Sequence, residues 1–265
     1  MGLPAGAGLY DSGEDAAAIV VERGAVHLSR TQRTSRHAHH AWKVHVGIDA
    51  PVWLESAELR VRPQDGARLL VVPPDLEHTT GAVGWSAAIF VEPGTRSTPA
   101  RGDKRPFVLQ GAAARRVVDA CRESQASVRP ETRALVDEVV RHTVPLTRER
   151  LDARVARALE RLARAPGTPL TDLARGVGLS VDRLTHLVSL ETGIPPRRHA
   201  VWQRLLALLS GQPQLGSLAE VAVSAGFTDH AHMTRTFRRF LGRAPSEFKS
   251  PPLVIAPWAT ALGAR

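Results

Sequence analysis

Two kinds of hydrophobic pattern divide the chain. From about residue 19 to 95, short apolar or alternating runs such as AIVVE, KVHVGI, ARLLVVPP and SAAIFVEP are separated by Gly, Pro and Asp. This pattern is typical of a β-sandwich or barrel. After the Pro- and Gly-containing stretch PGTRSTPARGDKRP the periodicity becomes helical, and it stays helical from about residue 147 onward. The sequence therefore predicts an α+β protein with a β domain first and an all-α domain second.

The region between the two domains predicts two amphipathic helices, AAARRVVDACRES and PETRALVDEVVRHTV. We interpret it as a helical linker or a dimerisation region. The predicted organisation is a flexible tail at 1–18, a β domain at 19–105, this linker at 106–146, a helical domain at 147–250 and a C-terminal tail at 251–265.

The helical domain contains an internal repeat. LTDLARGVGLSVDRLTHLVSLETGIPP and LAEVAVSAGFTDHAHMTRTFRRFLGRAP align at an offset of 48 residues, which becomes 49 after one inserted residue in the second copy. Each copy predicts a short helix, a Gly-containing turn, a capping Ser or Thr, a longer helix and a Gly stop. That order is the helix-turn-helix pattern.

The longer helix of each copy has one apolar and one polar face. In the second copy the apolar stripe predicts burial of Met233, Phe237, Phe240 and Leu241. The opposite stripe consists of Ala231, Thr234, Arg235 and Arg238, with His230 in the first turn. In the first copy the equivalent stripe consists of Asp182, Thr185, His186 and Ser189. Equivalent outward stripes suggest that the two helices do the same work.

Charge points to a polyanion as the partner of the helical domain. The net charge of the chain is +9, and residues 145–250 hold 16 basic and 9 acidic side chains, whereas residues 1–144 hold 18 and 17. A helix fits the DNA major groove, where short polar side chains and Arg reach base edges while flanking bases anchor phosphates. The phosphate candidates are Arg183, Arg197, Arg198, Arg238 and Arg239. A merely Arg-rich, solvated surface is the alternative.

Residues from about 150 to 249 resemble the DNA-binding domain of the AraC/XylS family of bacterial transcription regulators. LARGVGLSVDRLTHLVSLETGIPP and AEVAVSAGFTDHAHMTRTFRRFLGRAPSEF carry the resemblance. It implies two helix-turn-helix subdomains joined by a linker helix, with double-stranded DNA and RNA polymerase as partners, as for an activator. The sequence itself does not decide between activation and repression. The resemblance gives base-reading roles to Asp182, Thr185, His186, His230, Ala231, Thr234 and Arg235.

Histidines of the β domain form a second motif. If SRHAHHAWKVHVG is a strand from Arg36 to Val46, alternation puts His37, His39, Lys43 and His45 on one face. Together with His78, the His-x-His pattern resembles the cupin barrel, which regulators of this family often carry as an effector domain. In metal-binding cupins a carboxylate stands where this chain has Lys43, and an ammonium is not a metal ligand.

Three interpretations of the histidines stay open. A divalent metal such as Zn²⁺ would use His37, His39 and His78. A pocket for an anionic small-molecule effector would be lined by His37, His39, Trp42, Lys43, His45 and His78. The histidines could also serve the barrel structure alone.

These interpretations lead to three classes of function. We predict a sequence-specific, ligand-controlled transcription regulator that is not an enzyme. The alternatives are a regulator whose barrel only forms a homodimer and a metal-dependent cupin enzyme or sensor fused to a DNA-binding domain.

The chain has a single cysteine, Cys121, which excludes an intrachain disulfide. No apolar run reaches the roughly 18 residues of a membrane span, so the expected location is the cytoplasm.

Overall fold

The computed structural model describes residues 16–21, 24–91, 105–126, 151–210, 220, 222–223, 226–244 and 253–255. The described strands are β1 Ala16–Val21, β2 Gly24–Arg33, β3 Trp42–Gly47, β4 Val52–Ser56, β5 Arg60–Val61, β6 Leu69–Val72, β7 His78–Val91, β8 Phe107–Val108 and β9 Leu253–Ile255. The described helices are α1 Gly111–Ala126, α2 Ala153–Arg164, α3 Leu170–Gly176, α4 Val181–Thr192, α5 Pro196–Ser210 and α6 His230–Leu241. The predicted α+β class and the order of the two domains are confirmed.

The strands form one curled, mostly antiparallel sheet in the order β8-β6-β3-β7-β2-β1-β9, with β4 and β5 off this path. The 14-residue β7 organises the sheet, because one edge pairs with β2 while the other pairs first with β4 and then with β3. The described strands make a half-barrel. The C-terminal β9, within the predicted tail, adds in parallel to β1.

The outer face of the half-barrel is an apolar core closed by α1. Alternation along β3 points Trp42, Val44 and Val46 to this face, where they pack with apolar residues of α1 that include Val117 and Cys121. The buried stripe of α1 is thus used against the sheet. Burial raises the pKa of the Cys121 thiol to about 12, which makes it a structural thiol rather than a reactive one. The second predicted linker helix lies outside the described residues.

The helical domain follows the predicted repeat. The first copy comprises α3 and α4, which pack with α2 around a buried apolar cluster that includes Leu162, Leu173 and Leu184. In the second copy α6 is fully described, whereas its preceding helix is described only at residues 220 and 222–223. The linker helix α5 joins the copies and, at 15 residues, is roughly 22 Å long. No helix in the described ranges is long and apolar enough to cross a membrane.

The predicted strand from Arg36 to Val46 begins later than expected, at Trp42. Between β2 and β3 the chain forms a single bridge, His37 to His78, and it also uses backbone groups to contact the helical domain. The physical reason is competition for backbone hydrogen bonds. The Ser35 and Ala38 amides donate to carbonyls at the end of α6 instead of to a neighbouring strand.

Candidate functional site

The longer helices α4 and α6 begin and end in the same way. Ser180 caps α4, where its side chain accepts from the Arg183 amide, and Asp229 caps α6, where its side chain accepts from the His232 amide. Both helices end at a glycine in the left-handed region, Gly193 with φ 74° and Gly242 with φ 69°. The cap of the second copy is Asp229 and not the predicted Ser or Thr, because α6 begins at His230 and Asp229 directly precedes it. The neighbouring Thr228 hydroxyl donates to the Asp229 carboxylate.

The polar faces of the two helices remain accessible while their apolar faces are buried. Met233, Phe237, Phe240 and Leu241 are all buried, as predicted. On α6 the exposed residues of the opposite face are His230, Ala231, Arg235, Arg238 and Arg239, with Thr234 half-buried. On α4 Asp182, Arg183 and His186 are exposed, and Thr185 and Ser189 are half-buried. Every predicted reading side chain therefore lies on a surface that DNA can approach.

The phosphate candidates divide into two kinds. Arg183, Arg197, Arg238 and Arg239 are exposed. Arg198, on α5, forms a salt bridge with Asp75 of the half-barrel, so its guanidinium is already paired with a carboxylate from the other domain. In this arrangement Arg198 has to leave Asp75 before it can bind a phosphate.

Helix α6 is attached to the half-barrel by its C-terminal end. The Ser35 amide and hydroxyl both donate to the Gly242 carbonyl, at 2.9 and 2.7 Å, and the Ala38 amide donates to the Arg239 carbonyl at 3.1 Å. A Cβ at Gly242 would lie only 2.6 Å from Nδ1 of His37. The loop that carries His37 and His39 thus holds one carbonyl in the last turn of α6 and the carbonyl of its C-cap, Gly242.

A shared apolar cluster supports this attachment. Ala88 and Phe90 of β7 belong to the same buried cluster as Trp202 of α5 and Phe237 and Phe240 of α6. The fully buried His40 ring lies beside Trp202 and Phe240, with ring centroids 5.0 and 5.5 Å away. Because the apolar face of α6 packs partly on the sheet, a movement of the half-barrel cannot leave the helix undisturbed.

The rings of His37, His39 and His78 converge in the interior. All three are at most 3% exposed, and one nitrogen of each lies within 4.8 Å of one nitrogen of each of the others. Burial, with help from nearby Lys43, lowers the pKa of His37 to about 3 and that of His78 to about 2. Burial also holds the pKa of His39 well below its ordinary value, so the three rings are neutral at pH 7. Three neutral imidazoles fit a transition metal, whereas Lys43 cannot act as a fourth ligand while protonated.

Lys43 and His45 lie on the inner face of the sheet with the histidine cluster. The Lys43 amine is fully buried and donates to the Thr80 hydroxyl at 2.6 Å, and burial lowers its pKa to about 7. His45, Ser29 and Ser86 are buried on the same face, with side-chain polar atoms that have no hydrogen-bond partner in the described part of the chain. Such a set of buried polar groups is the kind of surface that a polar ligand satisfies.

The structure does not bring Trp42 to this set. The Trp42 side chain lies in the outer-face core, because in β3 it alternates with Lys43. Of the six predicted pocket residues, five share the inner side and Trp42 does not.

The comparisons with known proteins agree with this geometry. A family model described as a helix-turn-helix domain matches residues 173–250, which include α4, α5 and α6. Residues 173–250 are an AraC-type helix-turn-helix domain. The predicted resemblance to the AraC/XylS family is confirmed, and the match supports a DNA-binding transcription regulator.

Solved structures share the two-domain fold around this AraC-type domain. An apo variant of ToxT from Vibrio cholerae is similar over 86% of this chain and 97% of its own, with a TM-score of 0.53 and 7% identity. Another ToxT structure covers 88% and 95%, with a TM-score of 0.52 and 10% identity. The structure of ToxT with a bound unsaturated fatty acid is similar over 91% of this chain and 96% of its own, with a TM-score of 0.50 and 9% identity. No curated protein matches the chain in sequence.

Sequence reasoning missed the residues that join the AraC-type domain to the half-barrel. His40, Asp75 and Trp202 gave no signal of this role, because their contacts cross more than 100 residues of sequence. Strand alternation from Arg36 to Val46 would put His40 on the side of Trp42, but His40 precedes β3 and its ring lies beside residues of α5 and α6. His27 was also missed, although its position opposite Ala88 places it on the inner face with Lys43.

Proposed function

We propose that the chain is a sequence-specific DNA-binding transcription regulator that reads adjacent major grooves with α4 and α6. The observation that carries the proposal is the duplication of one arrangement. Each reading helix has a capped start, a left-handed glycine stop, a buried apolar stripe and an accessible polar stripe. The linker helix, roughly 22 Å long, is suited to hold two helices about one DNA turn, roughly 34 Å, apart.

Arg235 is the proposed main base-reading residue. It is exposed on the polar face of α6, and an Arg that contacts guanine with two hydrogen bonds contributes about 1 to 3 kcal/mol of discrimination. The α4 face has His186 but no Arg among its reading positions, and the exposed Asp182 carboxylate would repel phosphates. We therefore assign the greater share of specificity to α6.

A duplex that the purified full chain selects from a random library is called the selected duplex below. Fluorescence anisotropy with the selected duplex and with a random duplex tests this assignment. Arg235→Ala should weaken binding to the selected duplex by roughly 5- to 150-fold, and more than His186→Ala does. Arg164→Ala is the matched control, because Arg164 is an exposed Arg of α2 outside both reading helices. If His186→Ala weakens specific binding more than Arg235→Ala, the assignment to α6 is refuted.

We further propose that a small ligand on the inner face of the half-barrel controls DNA binding. The buried polar groups of that face and the hydrogen bonds from its histidine loop to α6 support this. A ligand shifts DNA affinity only if it binds the attached and released forms unequally. ToxT, which shares the fold, has a structure with a bound fatty acid, so an unsaturated fatty acid is a suitable first probe.

The ligand proposal is tested by anisotropy of the full chain on the selected duplex, with and without oleate. Oleate should change the DNA affinity, and Lys43→Met should remove that effect, because the buried Lys43 amine can pair with the oleate carboxylate when it is protonated. An effect of equal size in Lys43→Met would exclude this face as the site.

Double-stranded DNA, a small ligand and RNA polymerase are the proposed partners. A homodimer would have to use surfaces other than the buried stripe of α1.

A further inference from the structure

The tautomers of the three clustered histidines are fixed by the backbone. Nδ1 of His37 lies 2.8 Å from the Ser35 carbonyl, Nδ1 of His39 lies 2.6 Å from the Ala41 carbonyl, and Nδ1 of His78 lies 2.8 Å from the Leu76 carbonyl. A carbonyl oxygen only accepts, so each Nδ1 carries the proton and donates it. Each Nε2 consequently presents a lone pair.

These three lone pairs have no partner. Nε2 of His37, of His39 and of His78 is buried, and none has a hydrogen-bond partner in the described ranges. The ring centroids of His37 and His78 are only 4.3 Å apart, and those of His39 and His78 are 4.8 Å apart. Three acceptors cannot satisfy one another, and an unsatisfied buried polar group is costly. The three Nε2 atoms therefore need an electron-pair acceptor as their partner.

We propose that His37, His39 and His78 form a site for one divalent transition-metal ion such as Zn²⁺, which they bind through Nε2. Imidazole nitrogens suit such ions, and a backbone acceptor on the other ring nitrogen is the usual support of a metal-bound histidine. Around a tetrahedral ion with Zn–N near 2.1 Å, ligand nitrogens are about 3.4 Å apart. One ring nitrogen of each histidine lies within 4.8 Å of one nitrogen of each of the others, so ligation requires the nitrogens to approach by up to about 1.4 Å.

The same loop gives the ion a route to the second reading helix. His37 lies between Ser35 and Ala38, whose backbone amides donate to the Gly242 and Arg239 carbonyls at the end of α6. An ion that fixes His37 and His39 fixes the loop that holds this helix end. The site therefore also regulates α6: the ion favours the attached form, in which Arg198 is paired with Asp75. This regulatory step rests on the proposed function, whereas binding of the ion does not.

Calorimetric titration of the chelator-treated full chain with Zn²⁺ tests the site. We expect one ion per chain, and X-ray absorption of the loaded wild-type chain should show about three imidazole ligands. His37→Gln and His78→Gln should each weaken binding by more than 100-fold, because even the loss of an outer partner of a ligand costs roughly 10- to 100-fold. His232→Gln, a change on α6 outside the cluster, should leave the affinity unchanged. No ion bound by the wild-type chain, or an absorption spectrum without imidazole, overturns the site.

A second measurement tests the regulation separately. Hydrogen exchange of the Ser35 and Ala38 amides should slow on addition of Zn²⁺ in the wild-type chain and not in His78→Gln. By linkage, Zn²⁺ should weaken binding of the full chain to its selected duplex. Zinc binding with unchanged exchange and unchanged DNA affinity would overturn the regulation and leave the site. Zinc binding to a chain that prefers no DNA sequence would overturn the proposed function instead.

Discussion

Replacement of Gly242 by Ala tests the attachment of the second reading helix to the half-barrel. Gly242 has φ +69°, a conformation that costs a residue with a Cβ about 1 to 2 kcal/mol. In addition, the new Cβ would lie 2.6 Å from Nδ1 of His37 and 2.9 Å from the Ser35 carbonyl oxygen. The loop has to move away, so the two hydrogen bonds from Ser35 to the Gly242 carbonyl are weakened or lost.

The magnitude follows from these two contributions. Each hydrogen bond contributes about 1 kcal/mol net, so Gly242→Ala should lower the free energy of unfolding by about 3 to 4 kcal/mol. Gly178→Ala is the matched control, because Gly178 has φ +68° and nothing within 4 Å of its Cβ position. That control should lose only the backbone contribution of about 1 to 2 kcal/mol.

Urea unfolding followed by circular dichroism measures both variants, and the unfolding temperature provides a second reading. A difference of about 2 kcal/mol between the variants corresponds to roughly 4 to 8 °C for a chain of this size. Equal losses in Gly242→Ala and Gly178→Ala would show that the end of α6 is not held by the histidine loop in solution. The reasoning about attachment, and the regulation built on it, would then be refuted.

Three further predictions use charged or titratable groups. Asp75→Asn should free Arg198 and increase the DNA affinity several-fold, as measured by anisotropy at low salt. Glu77→Gln is the control, because Glu77 is a nearby exposed carboxylate paired with another Arg, and it should change the affinity less. Equal effects of the two substitutions would contradict the role of the salt bridge. Because burial lowers the Lys43 pKa from 10.5 to about 7, Lys43→Met should raise the free energy of unfolding most below pH 7, by up to about 5 kcal/mol. This gain should shrink as pH rises toward 10.5, and urea unfolding at pH 6 and pH 9 checks it. Because burial chiefly lowers the His27 pKa from 6.5 to about 3, the stability that His27 contributes above pH 6.5 should be lost as pH falls toward 3, by about 3 kcal/mol at pH 4.5. His27→Gln should remove this share of the acid-induced loss and keep the share of the other buried histidines, and an unchanged pH profile would contradict it.

The sequence predicted best what is decided locally. The apolar stripe of α6, with Met233 and Phe237, follows from helical periodicity, and its stop follows from Gly242, because both signals lie within one short segment. The AraC-type resemblance rests on the same local patterns. The polar faces of α4 and α6 are accessible for the reason that the periodicity gives.

What the sequence could not predict depends on distant contacts. The hydrogen bond of Ser35 to Gly242 joins residues 207 positions apart, and no local signal marks either partner. The strand was predicted to start at Arg36 because alternation alone cannot show that Ala38 donates to the Arg239 carbonyl instead. In the same way the pattern grouped the histidines as candidates, but only the fold shows that their rings lie together and that each Nε2 is buried without a partner in the described ranges.

Selection of binding sites from a random duplex library by the purified full chain tests the central claim most directly. Two reading helices on one chain predict an enriched site with two conserved elements, separated by about one helical turn of 10 to 10.5 base pairs. Arg235→Ala should relax the element read by α6 and leave the other unchanged. Enrichment of no sequence, or of a single element that is unaffected by Arg235→Ala, would contradict the claim that this chain reads DNA with two equivalent helices.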